Sequence, residues 1–244
     1  MAAAKTTEVI AITPIKKQML SVRIVGDSPL IMHAWSAKAK REILYKELGF
    51  PKTKARDVRD PIGDFCSSAY WLTEMPEEFT VEAVQEALAK GARFGFPCAA
   101  FKMASIAAGF RMGWAKNMTS LRPAFFIEPD SDGYFAGDLE VDYEMKTIHI
   151  VPNQFRYEPM VEIHSEPPVI REDMVWVGMG AADIRYRAEF RNWYADLKVA
   201  FNANGQYSKD QVLNLINAGG YACGIGEWRP EKDGQYGMYH IDVK

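Results

Sequence analysis

From residue 139 to 147, apolar and charged side chains change places at every step. Leu139, Val141, Tyr143, Met145 and Thr147 alternate with Glu140, Asp142, Glu144 and Lys146. A period of two predicts an extended strand with one face on a core and one in water, the habit of an antiparallel sheet. The segments 124–127, 139–150, 160–164, 169–177 and 184–200 all have β-type composition. Near the start, 19–25 alternates too, with Leu20, Val22 and Ile24 opposite Ser21 and Arg23. Helical patterns fill most of the gap between. They cover 34–48 (stopped by Gly49), 62–72, 80–90 (capped by Thr80) and 97–112, which is rich in alanine and suited to close packing on a sheet. A short amphipathic helix, 208–217, and a strand, 238–243, close the chain. Helices and strands are partly segregated, and no linker or repeat interrupts them. This predicts one α+β domain over residues 1–244.

The 48% hydrophobic fraction suits a packed core and excludes a disordered chain. The N-terminus has no apolar run of secretory length, and no stretch is long enough to span a membrane. Cys66, Cys98 and Cys223 are an odd, scattered set without a CxxC pair, so reduced thiols and a cytoplasmic location are expected. The net charge of −3 argues against a protein that coats DNA regardless of sequence. Charge is nevertheless uneven. Residues 38–59 hold eight basic side chains against three acidic ones, and 128–144 hold seven acidic and no basic ones. A basic insertion at 38–61 and an acidic side are predicted, although either run also fits a solvated face.

Two segments can carry binding chemistry. Residues 218–239 contain Gly219, Gly220, Gly224, Gly226, Gly234 and Gly237. They follow a helix and open a strand, the reverse of a dinucleotide loop, and lack GK[ST], so no nucleotide cofactor is implied. Clustered glycines can instead present backbone amides to phosphate, with Arg229 and Lys232 adding charge and Trp228 or Tyr236 stacking on a base. An ordinary glycine-rich hairpin is the plain alternative. In the second segment, Arg185, Arg187 and Arg191 alternate with Ile184, Tyr186, Ala188 and Phe190. Arginines beside aromatics on an open sheet suit a single strand of nucleic acid, and a solvated edge strand fits equally. Glu189 lies on the arginine face and could pair with one of them. His33, His149, His164 and His240 are isolated, so no metal site is expected. Cys98 at a helix start reads as core, and Asp57 and Asp60 as surface acids.

The order of segments resembles the RAMP superfamily, which includes the RNA-coating backbone subunits and guide-processing ribonucleases of CRISPR effector complexes. Gly26-Asp27-Ser28-Pro29-Leu30-Ile31 is similar to the opening strand and turn. Phe94-Gly95-Phe96-Pro97-Cys98-Ala99-Ala100-Phe101-Lys102 is similar to the small-residue segment with its lysine. Residues 218–239 are similar to the terminal glycine-rich loop. Cys98 stands where the family usually has glycine, and a phage or mobile-element relative would fit that and the acidic charge. The resemblance implies a ferredoxin-like (RNA-recognition-motif-like) antiparallel sheet with helices on one face. It implies that 38–61 project as a thumb, and that subunits assemble head to tail into a homo-oligomeric filament on single-stranded RNA or DNA. Residues Lys52, Lys54, Arg56, Arg59, Lys102, Arg185, Arg187, Gly224, Gly226, Trp228, Arg229 and Lys232 would then line the strand, without catalysis or cofactor. A metal-independent endoribonuclease using His33 and Tyr236, and a virion structural or interaction protein, are the alternatives.

Overall fold

The computed structural model describes residues 14–51, 58–177 and 180–243. The chain runs β1 (Lys17–Gly26), β2 (Leu30–Ile31), α1 (Ala37–Glu47), α2 (Pro61–Ser68), α3 (Val81–Ala89), β3 (Phe94–Pro97), α4 (Cys98–Arg111), α5 (Met118–Leu121) and β4 (Phe126–Glu128). It continues through β5 (Ser131–Asp142), β6 (Thr147–Ile163), β7 (Val169–Val177), β8 (Ala181–Phe190), β9 (Tyr194–Asn202), α6 (Lys209–Ala222) and β10 (Tyr239–Ile241). This is a mixed α+β molecule with antiparallel sheets. Among the described residues no helix is long and apolar enough to cross a membrane.

Local chemistry sets the helix starts. The side chains of Ser36, Asp60, Thr80 and Ser208 accept the orphan amides of α1, α2, α3 and α6, and Ser208 and Gln211 close a capping box. The last helix runs past the predicted end at 217, through Gly219 and Gly220. There the glycines allow close approach. A Cβ on Gly220 would lie 2.0 Å from the Tyr239 carbonyl oxygen, and one on Gly219 would lie 2.8 Å from the Ser105 nitrogen on α4.

The strands form three sheets, ordered β10-β1-β9-β4, β2-β8-β7 and β3-β6-β5. In the first, every neighbour is antiparallel. One face of it (Val22, Ile24, Leu197, Val199) shares a core with Phe101, Ala104 and Ile106 of α4 and with Val212, Leu215 and Ile216 of α6. Each of these side chains larger than alanine, fully buried, contributes about 1.5–3 kcal/mol. Its other face carries charge pairs. Arg23 donates to both oxygens of Asp196 (2.8 and 2.7 Å) and lies 4.4 Å from the Tyr194 ring centre, and the His164 ring stacks on Tyr194. Gly26 opens the first turn because the Trp193 ring fills the space a Cβ would need.

Two predicted strands are each divided by a turn. The stretch 139–150 is the tip of the β5–β6 hairpin. Asp142 Oδ1 accepts from the amides of Glu144 and Met145, and Lys146 takes φ 52°. An Asx turn thus overrides a clean alternation. The stretch 184–200 breaks at Asn192, φ 48°, so the arginine strand β8 belongs to a different sheet from β9. The basic helix α1 does not stand free. It packs on β5 and β6, and Tyr45 Oη accepts from the Ile148 amide at 3.0 Å.

Candidate nucleic-acid interface

β7 and β8 pair so that Arg171 faces Arg187 and Asp173 faces Arg185. These residues, with Glu189, share one face of the hairpin because alternate residues point the same way. The consequence is a buried charge network. Asp173 Oδ1 accepts from Arg171 Nε (2.7 Å), and Asp173 Oδ2 accepts from Arg187 (3.0 Å) and Trp228 Nε1 (3.2 Å). Glu189 accepts from Arg171 (2.8 Å) and Arg191 (2.6 Å). Arg187 is 5% exposed and Glu189 4%. Burial pushes the Glu189 carboxyl upward, but Arg171 and Arg191 outweigh it and hold it below the usual carboxylate range. The Glu189 pairing anticipated from the sequence is present, and it draws in Arg171 as well as Arg191. Arg187 is therefore chiefly a structural cation. Its NH1 is committed to Asp173, and its Nε is buried without a partner.

Arg59 joins this edge from the end of the basic segment. It donates to Asp64 (3.4 Å) and to Asp183, and Asp183 also accepts from Arg185 Nε (3.3 Å). Arg59, Arg185, Arg187 and Lys38 line one cavity of ≈ 260 Å³ with Ser36, Ser67 and three carboxylates, Glu42, Asp64 and Asp183. His33 lines it too. On its far side His33 borders a second cavity of ≈ 360 Å³, lined by Arg229, Gly224, Gly226, Glu227 and the alanine face of α4. His33 Nδ1 lies 3.0 Å from Glu227 Oε1. That contact, with the charges of Arg187 and Arg229, holds the Glu227 carboxyl below its usual range against its burial. Sequence-distant cations thus meet around the His33–Glu227 pair.

The glycine-rich loop is built differently from an open amide cradle. The Ile225 amide bonds Gly237 O (3.0 Å), Glu227 bonds Ile31 O (2.9 Å), Tyr236 bonds Trp228 O (3.0 Å) and Gly237 bonds Pro29 O (2.9 Å). Gly224 and Gly226 have φ +64° and +79°, and a Cβ on Gly226 would fall 2.5 Å from Ile31 O. The glycines fold the loop onto itself and onto β2, so these amides are spent internally. Trp228, 37% exposed, anchors on Asp173 in place of standing free for a base. Arg229 holds Gly226 O (2.9 Å) and Glu231 (2.9 Å). Lys232 is exposed and lines neither cavity.

Lys102 is not part of this assembly. Its Nζ sits 3.6 Å from the Phe126 ring centre, where burial lowers its pKa. Lys52, Lys54 and Arg56, with Asp57, lie outside the described residues. Tyr236 carries the Arg171 guanidinium over its ring at 4.4 Å. Sequence reasoning did not select Asp173, Glu227 or Lys38 for the site. Glu227 lies within the glycine-rich segment, but only the fold brings it to His33. These features place cations and carboxylates around two cavities that share His33, beside a buried ion network. No family model matches the sequence, and no curated protein matches it either.

Proposed function

We propose that this chain binds a single strand of nucleic acid, RNA in the first instance, as a self-assembling, non-catalytic coat or backbone subunit of RAMP type. The observation that carries this reading is the convergence of Arg59, Arg185 and Lys38 on one side of His33 and Arg229 on the other. Cations drawn from the two ends of a chain of net charge −3 line two cavities that share His33. The connectivity supports a ferredoxin-like core. The path β1–α4–β4–β9–α6–β10 gives the order β10-β1-β9-β4, with both helices sharing the core of one sheet face. Head-to-tail assembly is supported by the exposed apolar end of the β7–β8 hairpin, where Met174, Trp176 and Ile184 share one face. A polarisation titration with single-stranded RNA and DNA at two salt concentrations tests the reading. Binding that weakens with salt is expected; no binding at low salt ends it.

The His33–Glu227 contact favours one second reading, a metal-independent endoribonuclease, since a carboxylate can orient an imidazole as a general base. A labelled hairpin RNA left intact after long incubation rules against it.

A further inference from the structure

A third cavity adjoins the one lined by Lys38, Arg59 and Arg185. It encloses ≈ 500 Å³, and Ala34, Ser36, Lys38, Asp64 and Ser67 line both cavities, so the two are neighbours across the start of α1 and α2. Its walls are mixed: Trp35, Met75, Phe79 and Ile150 are apolar, and Lys38, Arg41, Asp60, Asp64 and Glu77 bring charge. Trp35 is 62% exposed, so its ring face is open to a stacking partner. The Lys40 ammonium lies 5.8 Å from the centre of the Trp35 ring and is buried without a hydrogen-bond partner, occupying one side of the indole. Glu77 lines the same cavity; its carboxylate is exposed and makes no ion pair among the described residues, whereas Asp60 Oδ1 is used to cap α2.

We infer that the two cavities together form a site for one nucleoside monophosphate unit, with a purine base against Trp35 and its phosphate in the basin of Lys38, Arg59 and Arg185. The volume fits the range of small-ligand sites. An aromatic wall stands beside a basin of four cations, Lys38, Arg59, Arg185 and Arg187, and three carboxylates, Glu42, Asp64 and Asp183, which α1 approaches with its N-terminus. Glu77 selects among bases. Guanine offers two N–H donors along one edge, which a carboxylate accepts together, and uracil offers one. Asp183 opposes the phosphate, because it already engages both Arg59 and Arg185. The site deepens the strand-binding reading and rests on it when the nucleotide belongs to a strand; a free nucleotide has the same chemistry.

The whole chain is titrated calorimetrically with GMP, AMP, UMP and inorganic phosphate. Trp35→Ala, Glu77→Gln and Asp183→Asn are titrated beside it. GMP is expected to bind once per chain, at least tenfold tighter than UMP. Trp35→Ala should weaken GMP about tenfold or more while leaving inorganic phosphate unchanged. Glu77→Gln should narrow the gap between GMP and UMP, and Asp183→Asn should tighten both GMP and phosphate. Absence of GMP binding at millimolar concentration, or GMP affinity indifferent to Trp35→Ala, overturns the inference. An oligouridylate with one internal guanosine, compared with the all-uridine strand, separates the sources. A guanosine preference that matches the GMP-over-UMP ratio assigns the site to a strand nucleotide. Discrimination only among mononucleotides assigns it to a free one. Strand binding without GMP binding sinks the pocket and spares the strand reading; GMP binding without strand binding does the reverse.

Discussion

Asp173→Ala should destabilise this protein more than any other single change of a charged residue in the hairpin. The carboxylate accepts three hydrogen bonds and is 8% exposed. Its removal leaves Arg171 with Glu189 but takes from Arg187, whose side chain is 6% exposed, the carboxylate it is hydrogen-bonded to. A buried charge left without its counter-ion costs about 3–5 kcal/mol. With a urea slope of about 2–3 kcal/mol per molar, the unfolding midpoint should fall by about 1–2.5 M. The double variant Asp173→Leu with Arg187→Met removes both charges and should recover most of that loss, since an apolar pair of similar volume is often neutral. Equilibrium urea unfolding followed by circular dichroism measures all three proteins. A single variant within about 0.3 M of the parent, or a double variant no better than the single, would show that the network is not the uncompensated-charge trap described above.

Glu189→Gln tests the acid side of the stability curve. Its folded pKa lies below the unfolded value near 4.3, so its contribution is present above that value and is lost as pH falls through the depressed one. The variant should lose stability at pH 7 and show a flatter decline below about pH 4 than the parent; parallel curves refute this. Gly226→Val should fail to fold or lose several kcal/mol, about 2–4, because φ +79° and the Ile31 carbonyl both exclude a branched side chain. A thermal melt unchanged from the parent contradicts that. Arg59→Ala and Arg185→Ala should each lower the salt dependence of single-strand binding by about 0.7 in the logarithmic slope, one phosphate apiece. Arg187→Met should leave the slope unchanged, as its guanidinium is buried on Asp173, and a reduced slope would place it on the strand.

Local rules were legible in the sequence. Thr80 and Ser208 mark helix starts that the structure keeps within a residue, because capping depends on neighbours three positions away, whereas the helix expected from 34 waits for the Ser36 cap and begins at Ala37. The α+β character and the alternation of Arg185 with Ile184 followed from periodicity in the same way. Register did not. Whether Arg187 meets water or Asp173 depends on which residue β7 sets opposite it, and those partners are 14 positions apart. The His33–Glu227 contact spans 194 positions. Such pairings follow from sheet order and from a glycine-rich loop whose carbonyl and amide groups close on β2. A sequence states that arginines alternate and glycines cluster. Only the folded chain decides that most of those guanidinium groups face carboxylates and that the loop's amides turn inward, because burial penalises any charge or amide left without a partner.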